Sequence, residues 1–238
     1  VVTDGSLGKV EALVAPGYIV KSELGKTVGR NLFHSFQEFN IHKGELALFT
    51  GPNSIENILG RVTGGKISNI DGEIISEIEG ASLFLLNPNG FLFGKNSKID
   101  VKGSVVFSAA DHLKLGNAGR FDAVNPNQSV FVSASPQSFG FLGTNPLGDI
   151  TISGSKLRVW GAENALAFKA DQIKLKSMGR TEGLDGGAIY LEGQNIAIKG
   201  HSEIKTNARS EIGSGGIAMT GQSIEMNEGS RVKTSHQG

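Results

Sequence analysis

The chain has 238 residues, enough for a sizeable core in one or two domains, and its 23 basic and 23 acidic side chains balance. That balance offers no support for binding nucleic acid through a basic surface, and 13 Phe with two Tyr and one Trp offer little for stacking single strands. Cysteine is absent, no run approaches the ~18 apolar residues a membrane-spanning helix needs, and 34 Gly with 6 Pro argue for frequent turns short of the disordered or collagen-like range.

The chain opens at Val1-Val2-Thr3-Asp4-Gly5 without the charged and apolar regions of a signal peptide, so a leader is expected to have been removed or never present. Residues 10–20, from Val10 through Pro16-Gly17 to Val20, read as strand, turn and strand. Gly25-Lys26-Thr27 has the tail of a phosphate loop, but the glycine required five residues earlier is Val20, and the motif fails. Residues 32–39 are apolar at two spacings, which leaves a single helical turn open beside a strand. Asp71, Glu73, Glu77 and Glu79 form the only dense acidic group, and their strand-and-turn setting predicts a solvated loop.

Leu83-Phe84-Leu85-Leu86 and Phe91-Leu92-Phe93-Gly94 flank the tetrad Asn87-Pro88-Asn89-Gly90. Pro88 fixes its own φ and Asn89-Gly90 tolerates positive φ, so the tetrad reads as a tight reversal between buried strands. In an ordinary β protein it would close a hairpin. In a solenoid it would turn a corner.

A repeat near the C-terminus favours the solenoid. Gly187-Ala188-Ile189-Tyr190-Leu191-Glu192-Gly193-Gln194-Asn195-Ile196-Ala197-Ile198 recurs without a gap at positions 215–226, Ile217 standing where Ile189 stood, and looser copies begin near Ile150 and Leu166. Each copy holds three short segments with Ile189, Leu191, Ile196, Ile198, Ile204 and Thr206 facing in and Tyr190, Glu192, Ala197, Lys199 and Lys205 facing out. Three strands per turn predict a parallel β-helix; the blades of a propeller would need about 40–50 residues each. Residues 1–50 break the pattern and are the candidate cap on a body spanning 51–238. The sequence stops mid-repeat at Thr234-Ser235-His236-Gln237-Gly238, as a piece of a longer chain would.

Residue types that carry catalysis are scattered. His34, His42, His112, His201 and His236 lack metal-ligand spacing, Asp185-Gly186-Gly187 reads as a corner turn, and Asn127-Gln128-Ser129 is one uninformative glycosylation match. No catalytic residue, cofactor or metal is expected.

Residues 53–65, from Asn53-Ser54-Ile55-Glu56-Asn57 through Arg61 to Gly64-Gly65, resemble the N-terminal secretion domain (TPS domain) of filamentous-haemagglutinin-like exoproteins of two-partner secretion. So do Ile67-Ser68-Asn69-Ile70-Asp71-Gly72, the tetrad with its continuation to Ser104, and Asn31-Leu32-Phe33-His34-Ser35-Phe36. The resemblance covers residues 3–150 and continues more loosely into the repeats. Gly90 in the fourth tetrad position, where proteobacterial members carry Leu, is similar to the cyanobacterial branch; Asn125-Pro126-Asn127 and Asn145-Pro146-Leu147 echo a second family motif.

The resemblance implies an all-β, right-handed parallel β-helix with an N-terminal cap and extra-helical strands. It further implies a non-enzymatic secretion role with an outer-membrane TpsB transporter of the Omp85 type as partner. POTRA domains of that transporter would recognise the chain unfolded, after Sec export, and the chain would fold as a monomer at the cell surface. Asn87, Pro88, Asn89 and Gly90 become the secretion motif, and Asn57, Arg61, Gly64 and Asn69 secondary motif positions. Two other readings remain open from the residues. A carbohydrate-active β-helix enzyme would show clustered carboxylates in a groove, and a surface adhesin binding glycans directly would show exposed aromatic rows, for which Trp160 and Tyr190 are few.

Overall fold

A computed structural model describes residues 1–141, 148–209 and 215–237; Asn145-Pro146-Leu147 and the side chain of His236 lie outside the described residues. Within the repeat, Ile189, Leu191, Ile196, Ile198, Ile204 and Thr206 all point inward and are buried, while Tyr190 is 44% exposed. A single coil cannot cover its own inward side chains, so each strand stacks on its equivalent in the next coil. The outcome is a parallel β-solenoid of about 8 turns.

Three faces enclose the core. The first contains Asn31–Glu38, Asn57–Val62, Ser82–Leu86, Val105–Ser108, Ala165–Lys169, Ala188–Glu192 and Ile217–Thr220, all parallel. The second runs from Ser68–Ile70 through Phe91–Phe93, Ile150–Ser153, Gln172–Lys176 and Asn195–Ile198 to Ser223–Met226. On the third, one ladder joins Gly17–Lys21, Leu46–Thr50, Glu73–Ser76 and Lys98–Asp100, and another joins Lys156–Trp160, Arg180–Leu184, Glu203–Arg209 and Arg231–Gln237. Lys98–Asp100 and Lys156–Trp160 lie side by side with no ladder between them.

Register aligns like with like. On the first face Leu32, Ile58, Leu83, Val105, Leu166 and Ile189 form one interior column. Phe91, Phe93, Phe107 and Phe168 interlock beside it, with Phe93 and Phe107 edge to face at 4.7 Å. Burying each such ring contributes about 1.5–3 kcal/mol relative to leaving it in water.

Residues 32–39 form no helical turn: Asn31–Glu38 is a strand covered on both sides, which is why period two is lost there. Leu32 and Phe36 belong to the interior, and Phe33 to a second core outside it. The expected strand at residues 10–14 is likewise absent. Ala12 makes a single antiparallel bridge to Val2, flanked by bonds from the Thr3 N–H to the Glu11 carbonyl at 2.9 Å and from the Leu13 N–H to the Val1 carbonyl at 3.0 Å, while Val10 and Val14 stand in solvent. Gly17–Lys21 is a strand as expected. Val2–Thr3 and Lys26–Val28 both pair antiparallel to Asn31–Glu38, giving the N-terminal end a texture unlike the coils.

The second core has one cause. One coil runs from Leu83 to Val105 and another, of nearly equal length, from Leu166 to Ile189. Val105 nevertheless stacks directly on Leu166, although the chain between them is nearly three times as long. The surplus leaves the helix after Val105–Ser108 and forms an antiparallel sheet of His112–Leu115, Gly119–Asp122 and Pro136–Gly140. Leu113, Leu115 and Phe121 of this sheet cover the outward side chains of Phe33, Leu59 and Leu86. Phe33 and Phe121 meet edge to face at 5.2 Å.

Candidate functional site

The tetrad turns the corner between Ser82–Leu86 and Phe91–Phe93. Its residue types match their positions in a β-turn with Asn first, Pro second and Gly fourth, and the Gly90 N–H donates to the Asn87 carbonyl at 2.8 Å. The Asn87 side chain is fully buried. Its Oδ1 accepts from the Asn89 N–H at 2.9 Å, and its Nδ2 donates to the Lys66 carbonyl and Ser68 Oγ of the coil below, both at 2.9 Å. Its own N–H reaches up to the Ser108 carbonyl at 2.9 Å. Asn87 therefore holds three successive layers of one corner together, while Asn89 faces solvent.

The chain returning from the external sheet lies across this corner. The Gly148 N–H donates to the Pro88 carbonyl at 2.8 Å and the Phe91 N–H to the Asp149 carbonyl at 2.9 Å. Approach is close enough that a Cβ on Gly148 would fall 2.0 Å from the Asn89 carbonyl carbon. Gly90, at φ +91°, meets the same limit: a Cβ there would lie 2.2 Å from the Asp149 oxygen. A side chain as large as leucine has no room at position 90 of this corner.

Of the secondary positions, Arg61, Gly64 and Asn69 line this same edge and Asn57 lies at the other end of its strand. Arg61 pairs in register with Leu86, the residue before the tetrad. Gly64 crosses the preceding coil so tightly that a Cβ would sit 1.9 Å from the Gln37 oxygen. Asn69 is exposed on the second face, its N–H held by Asn40 Oδ1 at 2.9 Å. Asn57 donates to Asn31 Oδ1 at 2.9 Å, and Asn31 Nδ2 in turn reaches the Val132 and Ala134 carbonyls at 3.0 and 2.8 Å.

Arg61 is buried outside the helix, between the first face and the external sheet. Its Nε donates to Ser35 Oγ at 2.7 Å, one terminal nitrogen to the Asp122 carbonyl at 2.6 Å and Ser129 Oγ at 2.7 Å, and the other to Ser6 Oγ at 2.9 Å. Phe121 lies beneath the guanidinium, 4.8 Å from its ring centroid. The Pro126 carbonyl of the Asn125-Pro126-Asn127 echo approaches at 3.5 Å. Burial lowers the Arg61 pKa, and the nearby Asp4 and Asp122 oppose that. Burial pushes the Asp4 carboxyl up, but hydrogen bonds from Ser35, Ser6 and Thr63 outweigh it and hold it below the usual range.

Sequence reasoning placed Arg61 in the site but missed Asp4, Ser6, Ser35, Asp122, Ser129 and Gly148. No local pattern reveals them, because the bonds that bring them to Arg61 and to the tetrad span tens of residues. Asp71, Glu73, Glu77 and Glu79 spread along one coil: Asp71 accepts from Asn96, and Glu73 pairs with Lys98 on the outer surface. Among the described residues no group of three His, Cys, Asp or Glu is placed to hold a metal, and no helix is long and apolar enough to cross a membrane.

A family model described as the TPS secretion domain matches residues 1–236. No curated protein matches the chain.

Proposed function

The chain belongs to the TPS secretion domain family, and on that premise we propose that it is the N-terminal secretion domain of a TpsA exoprotein. In this reading POTRA domains of an outer-membrane TpsB transporter of the Omp85 type bind the chain unfolded in the periplasm after Sec export. The chain passes through the barrel and folds as a monomer at the cell surface. Its role is non-enzymatic, residues 1–50 cap the open end of the body 51–238, and Gly90 assigns it to the cyanobacterial-type branch.

The observation that carries the reading is the concealment of the tetrad. Asn87 is buried and Gly90 lies under Asp149, so the folded domain offers only Asn89 and part of Pro88 to a partner. A transporter that reads the whole motif must read it before residues 148–149 return. Folding then withdraws the motif, and the roughly 5–15 kcal/mol released by folding a domain opposes back-sliding where ATP is absent.

Asn87 and Asn89 separate recognition from folding. Asn87→Ala is expected to lower stability by about 2–4 kcal/mol, since it strands buried partners on two coils. Asn89→Ala is expected to change it by less than about 0.5 kcal/mol. Both are expected to reduce secretion through the co-expressed transporter and binding of the urea-unfolded chain to isolated POTRA domains. If Asn89→Ala is secreted and bound like the parent, the tetrad serves the fold alone and its proposed recognition is wrong.

A further inference from the structure

The interruption in the third-face ladder opens a groove of about 510 Å³ between Lys98–Asp100 and Lys156–Trp160. Alternation along the strand sends Leu157 and Val159 into the core and leaves Lys156, Arg158 and Trp160 along one bank. Lys98 and Lys102 line the other together with the carboxylates Glu73 and Asp100, and with Ile99 and Val101 between. Trp160 is the only Trp of the chain and is 42% exposed. An indole left in water beside fixed cations gives up burial that the core would otherwise supply.

The cations are held ready. Glu182, nearly buried on the next strand away from Lys98–Asp100, accepts from Arg158 Nε at 2.8 Å and from Lys156 Nζ at 3.0 Å, and so fixes both side chains along their bank. Burial pushes the Glu182 carboxyl up, yet its bonds to Arg158 and Lys156 outweigh this and keep it below the usual range. Among the described residues, Lys98 and Lys102 are engaged by Glu73 and Asp100, at 2.7 and 2.8 Å, in exposed pairs. Such pairs contribute little and exchange partners readily.

We propose that this groove binds an acidic polysaccharide, a pyranose ring lying on the Trp160 face and its carboxylates meeting Lys98, Lys156 and Arg158. The chemistry fits a charged sugar better than a nucleic acid, which calls for a series of aromatic platforms within a broadly basic surface. The site is independent of the tetrad and of export.

Because Trp160 is alone, intrinsic fluorescence of the whole chain reports on the groove. Oligogalacturonate is expected to shift or quench the emission, with binding weakened at least tenfold between 50 and 500 mM salt. Dextran, which is neutral, is expected to do nothing. Calorimetry on Trp160→Ala and on the double variant Lys156→Ser, Arg158→Ser is expected to show at least tenfold weaker binding. Trp160 lies outside the core, and an unchanged melting temperature checks the fold of that variant; the double variant strips Glu182 of both partners, so it is read in the background Glu182→Gln, which leaves no unpaired buried carboxylate. The proposal fails if oligogalacturonate produces no signal at millimolar concentration, or if either variant binds like the parent. It fails equally if polyphosphate or an oligothymidylate binds as tightly with no need for Trp160, which would make the groove a general polyanion patch.

Discussion

Replacing Arg61 with methionine is expected to lower the stability of the domain by about 3–5 kcal/mol, the range found when one partner of a buried charge network is removed. Methionine fills the space but abandons the hydroxyls of Ser6, Ser35 and Ser129, and the Asp122 carbonyl. It also removes the buried positive charge beside Asp4 and Asp122. Arg61→Lys is expected to rescue little. The site uses Nε and both terminal nitrogens toward three directions, and an ammonium is a single point. The measurement is urea denaturation, with amide exchange in His112–Leu115 and Gly119–Asp122 as the local readout, because those strands lose their tie to the coil first. A loss below about 1 kcal/mol would show that the external sheet is held by Phe33, Leu113 and Phe121 alone.

Acid is expected to act through His34. Its imidazole points into the helix beside Phe36 and Phe49, and neither ring nitrogen has a hydrogen-bond partner among the described residues. Burial pushes its pKa down to about 3, against about 6.5 in the unfolded chain. The folded form holds the neutral ring and the unfolded form binds the proton, so the stability is fully present above pH 6.5 and falls as pH drops toward 3. The loss is about 2 kcal/mol by pH 5 and about 4 kcal/mol near pH 3. Burial of His112 acts in the same direction. Between pH 6.5 and 5 the histidines dominate, since Asp4 and Glu182, held below the usual range, surrender their contribution only at lower pH. In His34→Leu the dependence over that window is expected to shrink to the His112 share. An unchanged pH profile of the denaturation midpoint in that variant would refute the assignment.

The coil itself was legible from residues because one covered side and one wet side impose period two. Ile189 to Thr206 show it, and each inward assignment there holds. The corner at Asn87 was legible because turn chemistry is local. Legibility ends where a strand is covered twice. Asn31–Glu38 carries apolar groups on both sides, since Phe33 meets Phe121, and its pattern no longer distinguishes a strand from a helical turn. It ends also where a bond spans the chain: Asn31 reaches Val132 across 101 positions, and nothing near either residue announces the other. Burial of Arg61 is of this kind. Its family motif marks the residue, but only the packed external sheet explains why it is an arginine.

The external sheet also has a mechanical consequence. Among the described residues, the coils after residue 148 are held chiefly by the coils beside them, with Lys169 over the Phe139 ring as a contact to the external sheet, so a force applied at the C-terminal end should peel the last coils singly. Each turn, such as the one from Ile189 to Ile217, releases about 90 Å of extended chain. The segment 1–141 is riveted across its length by Asn31 and Arg61, and under the same pull should hold longer and then part in one long step. The domain is thus a brittle anchor with a ductile tail, and a force–extension trace would show which part the load meets first.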